Sequence, residues 1–547
     1  MPGSIEQGLP SKPLWPERIY TLPETRYPVR LNAARELLDV HAEGDRGGRP
    51  AIHFQDQVLT YGELQKRVNR LAHGLRAAGI DAGDRLLMRL PNCPEFIITW
   101  LACQKLGAIA VPTMPLLRAR ELSAVANDAG TAAAVVAATL RDELDRARAD
   151  APTLKRLLVV GESRGGDTAW ESLMDGQPDR FAAAETRAHD LAMIAYTSGS
   201  TGAPKGCIHQ HNDILATADS YARHILNPSE EDRFGGHPTL AFTFGTGGLM
   251  IFPLRFGAST VLTGPFAPEG MLGAVQRHRI TLLFAAATSY RLMLRAPDMD
   301  RRYDLGSLRL CATGGEPLPA ATYTDWLKRT GVEILEGIGS TEMTHNFISS
   351  VRGKVRPGAT GFAVPGYDCR IVDEHGQEVP RGTPGLLAIK GPTGCKYWGQ
   401  PDRQAQYVRF GGWNVPGDIF VHDDEGYFTY QCRTDDMILC GGYKIPGPEV
   451  ECVLNEHPAV ADSAVVATPD ETRGSVPKAF VVLAPGYSAS EALIRKLQDH
   501  VKAELAPYKY PRQVEFVAEL PRTVTGKLRR ATLRDREAAS RQTSSHG

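Results

Sequence analysis

The chain has almost no net charge: 62 Lys and Arg against 63 Asp and Glu leave a formal −1 at pH 7. So balanced a composition gives no electrostatic case for nucleic acid or an anionic membrane as partner. The C-terminal stretch is locally basic at Arg522, Lys527, Arg529, Arg530, Arg534, Arg536 and Arg541. Acidic residues interrupt it and no aromatics interleave, which is the pattern of a solvated face. Long apolar runs are missing too. None reaches the roughly 18 uninterrupted residues of a membrane span. Met1-Pro2-Gly3-Ser4-Ile5-Glu6 lacks the basic and apolar regions of a secretory signal. The nine cysteines form no C-x-x-C pair, and an odd, scattered set points to reduced thiols and a cytoplasmic protein. His209 and His211 stand two apart, a spacing that fits no common helical zinc site and suits structural roles better. There is no internal repeat and no G-x-S-x-G element, so a hydrolase triad has no support.

What is present reads as a multi-domain globular protein. The chain has 547 residues, too many for one ordinary core, with 42% hydrophobic and 23% charged residues. Thr60-Tyr61-Gly62-Glu63 has the form of a capping box, and Leu64, Val68, Leu71 and Leu75 behind it share one helical face. Gly79 ends that helix, and the next strand is expected at 85–90. A second helix from Glu95 to Leu106 precedes Gly107 and a strand at 108–111. Further apolar runs at 133–136, 157–160, 280–284 and 308–311 alternate with amphipathic stretches, which predicts α/β layers with largely parallel sheets. After Gly358 glycine and proline become frequent and the runs shorten, so a small β-rich subdomain is expected over about 358–432. The pattern resets after 433, where strand and helix patterns make a compact α+β unit of about 110 residues. The expected division is thus a large N-terminal domain of layered α/β sheets, 1–432, and a small C-terminal domain, 433–547. The Ser-, Arg- and Gln-rich tail, about 536–547, is expected to be disordered.

The densest chemistry lies in Tyr196-Thr197-Ser198-Gly199-Ser200-Thr201-Gly202-Ala203-Pro204-Lys205-Gly206. Glycines let backbone N–H groups turn toward an anion, hydroxyls add donors, and Lys205 adds a full charge, a combination suited to a nucleotide polyphosphate. It is not a Walker A loop, because Gly206 follows Lys205 where a hydroxyl would be needed. The apolar run 191–196 delivers the loop as a buried strand. Glycine beside polar or charged residues recurs in several distant segments. These are Thr313-Gly314-Gly315-Glu316-Pro317, Glu336-Gly337-Ile338-Gly339-Ser340-Thr341-Glu342, Gly417-Asp418, Arg433-Thr434-Asp435-Asp436, Gly441-Gly442-Tyr443-Lys444 and Pro521 to Lys527.

In this order and spacing, these segments resemble the adenylate-forming superfamily of acyl-CoA synthetases, peptide-synthetase adenylation domains and beetle luciferases, from about residue 30 to residue 535. The resemblance implies that a carboxylic acid attacks the α-phosphate of ATP, releasing pyrophosphate, and that coenzyme A then displaces AMP to give a thioester. It implies that Thr197, Ser198, Gly199, Ser200, Thr201, Gly202 and Lys205 cradle the phosphates. Thr341 would contact the α-phosphate, beside Gly339 and Ser340, and Glu342 would hold Mg2+. Gly315, Glu316 and Pro317 would wall the adenine, and Asp418 and Arg433 would bind the ribose. Lys527 would bridge the carboxylate and the α-phosphate, Asp435 would be the hinge of a mobile C-terminal domain, and Gly441-Gly442 would approach CoA. Ile338 stands where many members have a stacking tyrosine, and Pro416-Gly417-Asp418 and Cys432-Arg433 replace Thr-Gly-Asp and Gly-Arg. None of these changes removes a charged catalytic group.

Within the superfamily, Met114 to Leu122, Gly337 to Met343 and Tyr443 to Glu449 look most like the benzoate and 2-aminobenzoate CoA ligase branch. That alignment implies an acyl pocket of Thr243, Phe244, Ala286, Gly339, Thr344 and His345, with Thr344 or His345 able to meet an ortho amino or hydroxyl group. Alternatives are a fatty or aryl-alkyl acid, transfer to a carrier-protein thiol, a non-catalytic nucleotide-binding protein, or a kinase that would yield ADP. The implied partners are small molecules: the acid, ATP and CoA, with no nucleic acid and no membrane. The oligomeric state stays open, a homodimer included.

Overall fold

The computed structural model describes residues 8–198, 204–440, 443–470, 473–523 and 527–544. The chain forms two compact units. The first comprises the chain to Arg370, Ala388–Val415 and Gly426–Phe428; the second comprises Ile371–Leu387, Pro416–Glu425 and the chain from Thr429. The division therefore runs through the stretch read from sequence as a β-rich subdomain, where the strands Asp368–Val372, Gly385–Lys390, Asp418–His422 and Phe428–Arg433 are all short.

Two sheets organise the first unit. One has seven strands in the order 168–169, 156–160, 133–137, 85–89, 109–112, 191–198, 204–210. All its neighbours are parallel except the last pair, Leu191–Ser198 with Pro204–Gln210. The other has nine strands in the order 362–363, 346–349, 334–339, 310–314, 282–284, 233–236, 259–262, 50–54, 57–60. Its six central strands are parallel and its edges antiparallel. Helices connect the parallel strands, as parallel pairing requires. Tyr61–Ala77 starts on a true capping box: the Glu63 N–H donates to Thr60 Oγ1 at 3.2 Å, and the Thr60 N–H donates to Glu63 Oε2 at 2.8 Å. Leu64, Val68, Leu71 and Leu75 on its inner face are fully buried. Pro94–Leu106 ends where Gly107 takes φ 75°.

The second unit carries the strands Met437–Cys440, Tyr443–Pro446, Val460–Asp470, Gly474–Leu483 and Gln513–Phe516 in one sheet. The helices Gly447–Glu456 and Glu491–Glu504 cover it, burying Leu493, Leu497 and Val501 against Val465, Ala479 and Val481. One sequence expectation is corrected here. Arg530–Ser544 is a helix, where disorder was expected from about 536. Leu533 and Glu537 stand one helical turn apart and both are buried. Glu537 accepts from Thr468 Oγ1 at 2.7 Å and from Lys478 Nζ at 2.8 Å, which anchors the segment on the sheet. A polar average hid this one-sided burial.

Candidate active site

Four neighbouring parallel strands of the nine-stranded sheet end side by side: Arg233–Gly236, Leu282–Phe284, Leu310–Gly314 and Ile334–Gly339. The residues just beyond them are candidate site residues: Thr243 and Phe244 after the first, Ala286 after the second, Gly315, Glu316 and Pro317 after the third, and Ser340, Thr341 and Glu342 after the fourth. The carboxyl ends of parallel strands are where open α/β sheets bind ligands, because the chain must splay there to make its crossovers. Gly315 takes φ 90°. Glu316 Oε1 accepts the N–H of Thr288 at 2.6 Å, in the first turn of the helix Ala287–Leu294 that Ala286 precedes. The turns after the second and third strands are thus tied together.

The acyl-pocket candidates meet around one histidine. The His345 ring stacks on Phe244 at 5.5 Å, meets Phe252 edge-on at 4.7 Å, and lies 5.0 Å from Tyr221. Phe244 in turn lies 5.5 Å from Phe284. Burial pushes the His345 imidazole down to about 3, against the opposition of a hydrogen bond with the Phe244 backbone, so it is neutral. A Cβ on Gly247 would lie 2.4 Å from His345 Cδ2, so glycine is what lets the ring sit against that backbone. Thr344, beside it, takes φ 72°, strain of order 1–3 kcal/mol for a β-branched residue. Its Oγ1 contacts His209 Nδ1 at 3.0 Å, and burial holds His209 at about 4. Gly339 packs against the His345 backbone. Thr243 is buried in the short helix Thr243–Thr246.

In the seven-stranded sheet, the strands 191–198 and 204–210 form a hairpin in the register Thr197↔Lys205 and Ser198↔Pro204. Thr197 and Lys205 therefore flank its mouth. Gly199, Ser200, Thr201 and Gly202 lie outside the described residues. Tyr196, paired with Gly206 one step back from that mouth, donates to Asp128 Oδ2 at 2.6 Å. After the strand Ile334–Gly339, Thr341 is buried. The Ser340 hydroxyl accepts the Met343 N–H at 3.2 Å, and Glu342 Oε1 accepts from the Tyr397 hydroxyl at 2.7 Å.

The remaining candidates lie in the second unit. Asp418 is 7% exposed, and Arg433 Nη1 pairs with its Oδ1 at 3.3 Å. Asp435 is exposed and pairs with Arg534 at 3.1 Å, while buried Asp436 takes both Arg534 and Arg530. Lys527 is exposed; its N–H donates to Thr523 Oγ1 at 3.1 Å, and its carbonyl accepts the Thr523 N–H at 2.7 Å. Gly441 and Gly442 lie outside the described residues, between two strands paired at Cys440↔Tyr443. Among the described residues no cluster of three His, Cys, Asp or Glu is arranged to hold a metal. No helix among them is long and apolar enough to cross a membrane.

Sequence reading missed Tyr397, His209, Tyr221, Phe252 and Phe284 as parts of this site. Tyr397-Trp398 in a stretch otherwise rich in glycine and polar residues was the visible signal for the first.

Two family models match the chain, AMP-binding enzyme over residues 38–398 and AMP-binding enzyme C-terminal domain over 449–527. The chain is 39% identical to benzoate–CoA ligase of Thauera aromatica, over 94% of this chain and 98% of that one. Among solved structures it is similar to the anthranilate CoA ligase AuaEII in complex with anthranoyl-AMP, with TM-score 0.89, 34% identity, and 95% and 100% of the two chains covered. It is also similar to a benzoate CoA ligase from Burkholderia xenovorans LB400, with TM-score 0.83, 33% identity, and 92% and 99% covered. With its four strand ends and glycine-rich hairpin inside the first matched span, which covers well over half of the sequence, the chain belongs to the AMP-binding enzyme family.

Proposed function

We propose that the protein activates an aromatic carboxylic acid with ATP to an acyl-AMP and then forms its thioester with coenzyme A, releasing pyrophosphate and AMP. The observation that carries this reading is the aromatic enclosure of Phe244, Phe252, Phe284 and neutral His345, placed next to the turn that bears Thr341 and Glu342. A flat ring packs favourably against a wall of rings, and an acid held there would present its carboxylate toward that turn. The similarity to aryl CoA ligases supports the same substrate class. A neutral imidazole in a largely aromatic wall offers a ring nitrogen to an ortho amino group, which favours 2-aminobenzoate over benzoate.

A carboxylate is a poor acyl donor, because its leaving group would be an oxide. Joining it to AMP replaces that group with a stable anion. Two anions must meet for this, so positioned cations and donors supply most of the acceleration. Thr197 and Lys205, with the loop between them, would hold the β- and γ-phosphates, and Thr341 the α-phosphate. Gly315-Glu316-Pro317 would form the adenine wall, Asp418 and Arg433 would take the ribose, and Lys527 would neutralise carboxylate and α-phosphate together. Asp435 is the proposed hinge between the two half-reactions, and Gly441-Gly442 the proposed approach of CoA. A turn carboxylate with one oxygen tied by Tyr397 keeps lone pairs for a hard cation, so Glu342 fits Mg2+. Magnesium there would neutralise phosphate charge.

The test is pyrophosphate release over a panel of aryl and alkyl acids. Turnover with 2-aminobenzoate and benzoate, and little with fatty acids, is expected; a clear preference for fatty acids rejects the aryl reading.

A further inference from the structure

Glu342 does not stand alone at its turn. Its Oε1 accepts from the Tyr397 hydroxyl at 2.7 Å, and Tyr397 is only 3% exposed. A phenol has one O–H to donate and a carboxylate only accepts, so Tyr397 is the donor in this pair. The backbone that presents this phenol is fixed on both sides. Tyr397 bridges Cys207 in antiparallel register. The Ile208 N–H donates to Lys396 O at 2.9 Å, and the Trp398 N–H to Gly206 O at 2.8 Å. The Tyr397 N–H reaches Gln404 Oε1 at 2.8 Å, and Trp398 Nε1 donates to Asp128 O at 2.9 Å. Gly206, Cys207 and Ile208 belong to the strand Pro204–Gln210, which also carries Lys205. One phenol therefore ties the acid after the strand Ile334–Gly339 to the strand bearing the phosphate-loop lysine.

The geometry points to Tyr397 as the positioning residue that holds the Glu342 carboxylate for a divalent cation on the nucleotide phosphates. This inference rests on the proposed role of Glu342 in the adenylation step. The physical reason is rotameric. A glutamate on a turn has three torsions to freeze before it can serve as a ligand, and a hydrogen bond to one oxygen freezes them in advance while leaving the other oxygen for the cation. Partners of this kind behind a metal ligand typically contribute about 10–100-fold in metal affinity. Simple packing is the competing explanation, since the Tyr397 ring also meets Tyr407 edge-on at 5.8 Å. Tyr397→Phe keeps the ring and removes only the donor, which separates the two.

The experiment compares wild type with Tyr397→Phe in two ways: the Mg2+ concentration dependence of acyl-AMP formation, and ATP binding by calorimetry with Mg2+ and with chelator. The variant should need about 10–100-fold more Mg2+ for half-maximal adenylation and recover at saturating Mg2+. It should bind ATP normally in chelator and convert supplied acyl-AMP to thioester at the wild-type rate. An unchanged Mg2+ curve, or a loss equally deep at every Mg2+ concentration, overturns the assignment. A wild type that makes no acyl-AMP from any acid would count against the proposed function instead, and the calorimetric comparison would still read Tyr397 on its own.

Discussion

The two units of this chain prepare their candidate site residues in opposite ways. In the first, the groups around His345 are packed and neutral: burial holds His345 at about 3 and His209 at about 4, and three rings lie against His345. In the second, the described candidates are charged, and all but Asp418 are exposed. Arg433 pairs with Asp418, Asp435 with Arg534, and Lys527 is exposed. Packed neutral groups recognise a shape, whereas charged groups near the surface can form and break contacts at little expense. The contrast suits the proposed reaction, in which the rings around His345 would select an acid and charged groups of both units would serve the successive steps.

The largest expected break in this comparison comes from Lys527→Ala. It should cut acyl-AMP formation by at least about 10²–10³-fold, the scale for removing one transition-state charge partner. Thioester formation from supplied acyl-AMP should be nearly unaffected; equal loss of both half-reactions would remove Lys527 from the adenylation step. On the packed side, Gly247→Ala places a methyl against the His345 ring. The KM for an aryl acid should rise about 10–100-fold with the KM for ATP little changed, as steady-state kinetics with each substrate varied would report. A uniform loss in both would mean a collapsed fold instead of an altered pocket.

Arg534→Ala probes the charged side without touching the proposed nucleotide contacts. It leaves Asp435 without this partner and buried Asp436 with Arg530 at 3.6 Å. The second unit should lose about 1–3 kcal/mol by denaturant unfolding, while the first is unchanged.

The smallest effect concerns a lysine that breaks the pattern by being buried. Lys396 is 4% exposed, with its Nζ 3.8 Å over the Trp15 ring and 3.3 Å from Gln210 Oε1. Burial, and secondarily Arg18, push its amine down to about 7, against some opposition from Asp213. In the unfolded chain it titrates near 10.5. Between these values the unfolded chain holds more protons, so stability rises with pH from about 7 to 10.5 and is flat below. Thermal midpoints of wild type minus Lys396→Met should therefore climb across that window by a few degrees; a flat difference would mean the amine is not desolvated.

Much of the fold was legible because its determinants are local. The Thr60–Glu63 box, the Gly107 terminus and the strand leading into Thr197-Ser198 depend on residues within a few positions of each other, and so does the order of polar, glycine-rich turns. Individual contacts across distant segments were not legible. The Tyr397–Glu342 bond spans 55 positions and the His209–Thr344 contact 135, and no periodicity encodes them. Ile338 already marked a departure from the stacking tyrosine of many relatives, yet the enclosing rings Tyr221, Phe252 and Phe284 come from three separate segments. The C-terminal helix went unread for a related reason, since Leu533 and Glu537 reveal their shared face only once the sheet beneath them exists.

The most direct measurement is to supply purified protein with ATP, Mg2+, CoA and 2-aminobenzoate or benzoate, and to identify every product by mass. AMP and an aryl-CoA thioester appearing in equal amounts is the expected result. ADP in place of AMP, or no AMP with any carboxylic acid offered, would contradict the proposal that this chain joins an aryl acid to the α-phosphate of ATP.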